Sequence, residues 1–140
     1  MQNPVMPKYR WLKSHNPKVE AFGVSPENSP VMYESMRTNK MVEMKTYPTL
    51  ADTCAGGVDL DSITLDLCRR YVDEIWLLTE TEIETSIRLL FEQHRLVVEG
   101  SGALSVGGLL KRKEHFKGKK VVVVICGRNI PLELFKRIIA

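Results

Sequence analysis

Segments with helical periodicity alternate with short apolar, β-branched runs along most of this chain, and no other feature constrains the fold as much. The clearest runs are EIWLL at 74–78 and VVVVIC at 121–126, and residues 80–94 between them carry apolar side chains at helical spacing. This alternation is typical of β-α-β units around a parallel sheet. We therefore expect an α/β fold, with a mostly parallel open sheet and flanking helices, in a single domain that covers residues 1–140.

Local signals predict where the other elements lie. A further strand is expected at 19–24, followed by a helix with Ser29 as its N-cap and Pro30 at its first position. Thr79 and Glu82 have the spacing of a capping box at the start of helix 80–94. Residues 41–61 have no clean period, which predicts a loop with at most a short strand or turn. The remaining helices are expected at 62–72, 99–113 and 131–139.

Composition excludes several classes of protein. With 44% hydrophobic and 26% charged residues, the chain has the balance of a soluble domain with a core. Its longest apolar run is far shorter than the ~18 residues of a membrane helix, and its first residues lack the apolar centre of a secretory signal. We therefore expect a cytoplasmic protein without a membrane partner.

The cysteines and the basic residues suggest neither a metal site nor a nucleic-acid site. Cys54, Cys68 and Cys126 are an odd number at wide spacings, which predicts reduced thiols, no disulfide framework and no metal. Much of the excess positive charge lies in KRKEHFKGKK at 111–120. This stretch fits either a phosphate or nucleic-acid patch or a solvated connection between a helix and a strand. No aromatic ladder accompanies it, and we expect no nucleic-acid partner.

Two places in the sequence are candidate ligand-binding sites. Open parallel sheets bind ligands at the carboxyl ends of their strands, and Cys126 follows the valine run at such an end, with Gly127 allowing a close turn. The same residues also fit a small buried cysteine and a turn in which Asn129 caps the next helix. Glu99 either faces a ligand or favours the dipole of the helix behind it. The motif EGSGALSVGG at 99–108 is a poor dinucleotide fingerprint, and its small residues equally fit close packing against a sheet.

Taken together in their order, several motifs give the chain a family resemblance. They are GVSPENSP at 23–30, YPTLAD at 47–52, VDEIWLLTETEI at 72–83, EGSGA at 99–103 and CGRN at 126–129. With them the chain resembles the C-terminal part of the serine/threonine dehydratases, which are pyridoxal-phosphate enzymes of the tryptophan-synthase-β type. The resemblance implies the C-terminal half of the large cofactor domain of a fold-type II enzyme. It also implies a lyase that converts an amino-acid substrate by β-elimination into a 2-oxo acid and ammonia.

The resemblance assigns roles to four residues. Cys126 matches the serine or cysteine that hydrogen-bonds the pyridine nitrogen of pyridoxal phosphate, and Gly127 follows it. A neutral thiol there would leave the ring largely unprotonated, which suits β-elimination. Glu99 matches a carboxylate near the ring, and Thr53 belongs to a segment that borders the cofactor, where glycine is commoner.

Several expected parts of the family site are missing from the sequence. No lysine stands in a Ser-x-Lys-x-Arg-Gly setting, and residues 1–8, part of an atypical segment at 1–10, do not match the glycine-rich phosphate loop. Ser25 replaces a glutamate that holds a structural cation in many relatives, and Arg128 replaces a second glycine. We therefore expect a fragment that supplies no catalytic residue and is inactive alone. The alternative is a non-catalytic, truncated α/β interaction module, whose uncovered edge strand and apolar surface would favour a homodimer or aggregation.

Overall fold

In the computed structural model, which describes residues 6–59 and 62–140, helices alternate with two strands. Residues 1–5 of the N-terminal segment singled out above lie outside this part of the chain. The elements are α1 (Met6–His15), β1 (Phe22–Pro26), α2 (Val31–Thr38), a 3-10 helix (Asp52–Cys54), α3 (Thr64–Tyr71), β2 (Glu74–Leu78), α4 (Glu80–His94), α5 (Gly100–Lys111) and α6 (Leu132–Ile139). None of the described helices is long and apolar enough to cross a bilayer.

The two strands form a parallel pair, which confirms the expected α/β fold. The register runs from Phe22 opposite Glu74 to Pro26 opposite Leu78. Because side chains alternate along a strand, β2 contributes to two cores. Ile75 packs against Cys68 and Val72 on one side of the sheet, and Leu78 joins the larger core on the other side.

The larger core lies between the sheet, α4, α5 and α6. Leu78, Ile83 and Ile87 are completely buried in it. Burying an aliphatic side chain of this size contributes about 1.5–3 kcal/mol. The start of α4 is fixed by the predicted capping box, because Thr79 Oγ1 accepts a hydrogen bond from the Glu82 amide and Glu82 Oε2 accepts one from the Thr79 amide.

Small residues allow α5 to lie directly on the sheet. A Cβ atom on Gly108 would come within 2.6 Å of Val24 Cγ2 in β1, and one on Gly107 would overlap Leu78 in β2. This confirms that the glycines of the 99–108 motif serve close packing. The helix therefore covers both strands without a spacer layer of side chains.

A lysine side chain covers one backbone acceptor on the outer edge of β2. The Leu78 carbonyl points towards β1, where it accepts the Glu27 amide, so the neighbouring Leu77 carbonyl points away from the sheet. Lys111 Nζ donates to this Leu77 oxygen at 2.8 Å and to Glu82 Oε2 at 3.0 Å. The side chain thereby occupies a backbone acceptor that would otherwise be open to another strand.

The prediction of a strand at 121–126 is wrong for the described part of the chain. No strand is formed there, and Val122 is 87% exposed. Ser105 Oγ donates to the Val124 carbonyl at 2.8 Å, so the segment is held to α5 rather than to the backbone of another strand. A strand forms only when its backbone pairs with that of a neighbouring segment. In the described ranges, 6–59 and 62–140, no segment forms such backbone hydrogen bonds with residues 121–126.

Two helix caps and two boundaries also differ from the sequence predictions. Helix α2 begins at Val31 with Pro30 before it, and Ser29 does not cap it, because its hydroxyl accepts the Gly56 amide at 3.1 Å. Asn129 is not the cap of α6, which follows Pro131. Strand β1 begins later than expected, at Phe22, and α3 begins at Thr64 rather than at residue 62.

Candidate functional site

The carboxylate of Glu99 joins three separate segments of the chain. Glu99 is only 7% exposed and directly precedes α5. Its Oε1 accepts a hydrogen bond from Thr53 Oγ1 at 3.1 Å, and its Oε2 accepts one from the Asn129 amide at 2.8 Å. Its own amide donates to the Gly127 carbonyl at 3.3 Å. The position at the start of α5 also stabilises the negative charge through the helix dipole.

Glycines make this junction sterically feasible. Gly127 has φ +123°, and a Cβ atom there would lie 2.5 Å from Glu99 Oε1. A Cβ atom on Gly102 would lie 2.7 Å from the Gly127 carbonyl oxygen, and one on Gly100 would overlap the Leu50 backbone. The turn at 126–129 therefore passes over the first turn of α5 at backbone contact distance.

The structure brings Glu99, Thr53 and Gly127 together as direct neighbours, and Cys126 precedes Gly127 in the same turn. Cys126 is exposed, so it is not the buried cysteine of the alternative interpretation. Its carbonyl lies beside Gly102, because a Cβ atom on that glycine would be 3.3 Å from the Cys126 oxygen. An exposed thiol thus sits at the rim of the turn that covers the buried carboxylate.

Sequence reasoning missed two side chains at this site. Ser101 Oγ lies 2.5 Å from Thr53 Oγ1, so the two hydroxyls are hydrogen-bonded beside Glu99. Cys54 is exposed as a residue, yet burial of its sulfur raises the pKa of the thiol; a hydrogen bond with Ser101 opposes this effect, and the Glu99 carboxylate adds to it. A small hydroxyl residue between two glycines was the available signal for Ser101.

A cavity of about 300 Å³ opens next to the Glu99 carboxylate. Its polar wall includes Asp52, Glu80 and Asn129, and its apolar wall comes from Leu50 and α6. Glu80 Oε2 accepts the Leu50 amide at 2.6 Å, which holds the loop before the 3-10 helix. The site is therefore an acidic cleft whose walls come from loop 48–52, the start of α5 and the segment 129–134.

Comparisons with known proteins find relatives that match most of this chain. The model of the family described as "Pyridoxal-phosphate dependent enzyme" matches residues 8–127. An L-threonine ammonia-lyase of Thermotoga maritima is 41% identical over 91% of this chain and 31% of its own length. The catabolic L-threonine dehydratase of Escherichia coli K12 is 34% identical over 91% of this chain and 39% of its own length. The chain thus spans less than two fifths of each of these relatives.

Solved structures share the fold. Serine racemase from Dictyostelium discoideum superposes with a TM-score of 0.81 at 26% identity, over 91% of this chain and 41% of that chain. The processed form of threonine deaminase isoform 2 from Solanum lycopersicum gives a TM-score of 0.86 at 22% identity, over 96% of this chain and 39% of that chain. The expected fold-type II architecture is therefore confirmed.

Proposed function

We propose, from the premise that this chain belongs to the pyridoxal-phosphate dependent enzyme family, that it forms the ring-binding side of an ammonia-lyase acting on threonine or serine. Relatives named L-threonine ammonia-lyase and L-threonine dehydratase support the reaction class. Both names specify L-threonine for those relatives, and serine is kept for this chain because of its resemblance to the serine/threonine dehydratases.

The observation that carries the proposal is the buried Glu99 carboxylate, fixed from two sides beside an exposed thiol. In the proposed site Cys126 hydrogen-bonds the pyridine nitrogen, Gly127 lets the turn that carries this cysteine pass close to Glu99, and Glu99 with Thr53 borders the ring. When bound, pyridoxal phosphate supplies a conjugated ring that takes up the electrons released at the substrate α-carbon. Thr53 and the Asn129 amide hold Glu99 in one orientation.

The residues present fit the ring of the cofactor better than they fit its phosphate group or the aldehyde carbon that a lysine would bind. Gly102 and Gly127 bring the turn at 126–129 against Glu99 and the first turn of α5, and this turn carries the exposed Cys126. The sequence contains neither the glycine-rich phosphate loop nor a lysine in the family motif. We therefore expect that these 140 residues alone release no 2-oxo acid from serine or threonine.

Amide chemical shifts test the ring site without any Schiff-base chemistry. The probe is 4′-deoxypyridoxine 5′-phosphate, which has no aldehyde and so forms no lysine adducts. We expect it to shift the ¹⁵N–¹H signals of Thr53, Gly102 and Gly127. Cys126→Ser should retain these shifts and Cys126→Val should lose them. The serine hydroxyl can form the hydrogen bond that the thiol makes to the ring nitrogen, and the valine side chain cannot.

Two outcomes would overturn the proposed ring site. Shifts confined to the lysines at 111–120 would mean that the phosphate binds a basic surface instead. Equal shifts in the serine and valine variants would remove the assigned role of Cys126.

A further inference from the structure

We infer that Asn28 and Ser29, in the turn between β1 and α2, are positioning residues for the candidate site. They hold residues 47–56, the site loop, in place by hydrogen bonds and without a structural cation. This inference deepens the proposed function, on which it rests, by adding two residues that act on the same site from a distance. Neither residue lines the cavity beside Glu99, so both would act through the site loop.

Both ends of the site loop are bonded to these two consecutive residues. The Tyr47 amide donates to the Asn28 carbonyl at 2.8 Å. Asn28 Nδ2 donates to the Pro48 carbonyl at 2.6 Å. At the other end, the Gly56 amide donates to Ser29 Oγ at 3.1 Å. The loop therefore leaves the turn and returns to it, as an Ω-loop does.

The turn that holds the loop is itself fixed to the sheet. The Glu27 amide donates to the Leu78 carbonyl at the end of β2, at 2.8 Å. The Ser29 amide donates to the Pro26 carbonyl at 3.1 Å, and Ser29 is only 2% exposed. The bonds from Asn28 and Ser29 thus connect the site loop to the rigid part of the fold.

The residues of the site lie between the two ends of this loop. Thr53 Oγ1 donates to Glu99 Oε1 at 3.1 Å, and the Leu50 amide donates to Glu80 at 2.6 Å. A displaced loop end would shift the segment that carries Thr53. Misplacing a group of a site by about 1 Å is enough to impair binding or catalysis, so the bonds at the loop ends have consequences at Glu99.

The chemistry of the turn does not fit a structural cation. Divalent cations such as Mg²⁺ and Ca²⁺ are held by carboxylates and other oxygen ligands, and Ser25 stands where many relatives have the glutamate that holds one. The Ser25 hydroxyl is neutral and donates to the Ser29 carbonyl in a long bond of 3.4 Å. A hydrogen bond therefore closes the turn, and we expect the site loop to be indifferent to divalent cations.

Hydrogen exchange of the site-loop amides tests the role of Asn28. The amides of Cys54 and Ala55 bond carbonyls within the loop, so their exchange rates report on its order. Asn28→Asp replaces the donor with an oxygen that faces the Pro48 carbonyl. We expect the Cys54 and Ala55 amides to exchange about tenfold faster, because a polar group that loses its partner destabilises the local structure.

Asn16→Asp is the matched control for this variant. Asn16 Oδ1 accepts the Lys18 amide at 3.1 Å, and an aspartate oxygen accepts the same bond. The same chemical change at this position should leave the site-loop amides at their parent rates.

A second variant tests the other end of the loop. Ser29→Ala removes the acceptor of the Gly56 amide without adding volume, and this amide should exchange about fivefold faster. Ser86→Ala is its control, because Ser86 is also buried and its hydroxyl bonds the Glu82 carbonyl within α4. This control should not change the exchange of Gly56.

Three further readouts separate positioning from general stability. The amides of Ile87 and Leu90 in α4 should keep their parent rates in Asn28→Asp and Ser29→Ala. Mg²⁺, Ca²⁺ or a chelator should change none of the site-loop rates. Both variants should bind 4′-deoxypyridoxine 5′-phosphate about tenfold more weakly, because Thr53 is no longer held beside Glu99.

Four results would overturn the inference: parent rates in the site loop of both variants, equal acceleration in α4, slower loop exchange with Mg²⁺ or Ca²⁺, and unchanged affinity of both variants for the analogue. The exchange rates are measured without the analogue. If the parent chain shows no analogue shifts while its loop responds as expected, the proposed function is removed and the hold of Asn28 and Ser29 on the loop remains.

Discussion

Replacing Gly127 by alanine tests the geometry on which the candidate site depends. Gly127 has φ +123°, a conformation that side-chain-bearing residues rarely adopt. The new methyl group would also lie 2.5 Å from Glu99 Oε1. Because Glu99 is buried and hydrogen-bonded on both oxygens, the carboxylate cannot move without losing a partner.

Two contributions set the expected loss of stability. The unfavourable backbone conformation costs about 1–3 kcal/mol. Losing a hydrogen bond to a charged carboxylate costs about 1.5–3 kcal/mol more. We therefore expect Gly127→Ala to lower the free energy of unfolding by about 3–5 kcal/mol, a large share of the ~5–15 kcal/mol of a typical domain.

Urea unfolding followed by circular dichroism measures this loss, and two other glycines supply matched controls. Gly118 also has a positive φ, +75°, but no atom lies within 4 Å of the position of its Cβ. Gly118→Ala should therefore cost only the backbone contribution, about 1–2 kcal/mol. Gly57 has neither a positive φ nor a close neighbour, so Gly57→Ala should stay within about 0.5 kcal/mol of the parent.

A double-mutant cycle separates the contact from the backbone. In a Glu99→Ala background the atoms that the new methyl group meets are absent, so Gly127→Ala should cost less there than in the parent chain. An equal cost in both backgrounds, or a cost no larger than that of Gly118→Ala, would refute a close contact between the 126–129 turn and Glu99.

Two further predictions concern the rest of the fold. Thr79→Ala should destabilise the chain by about 1 kcal/mol through loss of the capping box, whereas Thr81→Ala in the same helical turn should have little effect; equal effects in urea unfolding would contradict the cap. Burial raises the pKa of the Cys68 thiol to about 11, so the folded state holds this proton more tightly than the unfolded chain, whose cysteine pKa is about 8.5. The contribution of Cys68 to stability should be complete below pH ~8.5 and decline as the pH rises towards 11. The difference in unfolding free energy between the parent and Cys68→Ala should therefore shrink between pH 7 and pH 10.5, and a constant difference would contradict the burial of this thiol.

Elements defined by local signals could be predicted from the sequence. β2 occupies 74–78 as expected, because an apolar run of strand length is followed at once by the Thr79 capping box. Helices α3, α4 and α5 were also located by their periodicity and small residues. In each case the information lies within a few residues of the element, so no distant contact is needed to find it.

Elements that depend on distant partners could not be predicted in this way. The run at 121–126 has the composition of a strand, but pairing requires a backbone that the described chain does not place beside it. Ser29 has the right chemistry for a cap, yet its hydroxyl bonds the Gly56 amide. At the site, the resemblance suggested Glu99, Thr53, Cys126 and Gly127. The contact of Ser101 with Thr53 arises only when the first turn of α5 meets the 3-10 helix.

The bond from Lys111 to the Leu77 carbonyl has a consequence for the association of copies. A strand of another molecule that approached this edge of β2 would have to displace the lysine from the Leu77 oxygen and separate it from Glu82. Bonds with a charged donor are stronger than bonds between neutral groups, so their loss opposes edge-to-edge pairing at this position. A single lysine on α5 thus protects part of the sheet edge against aggregation.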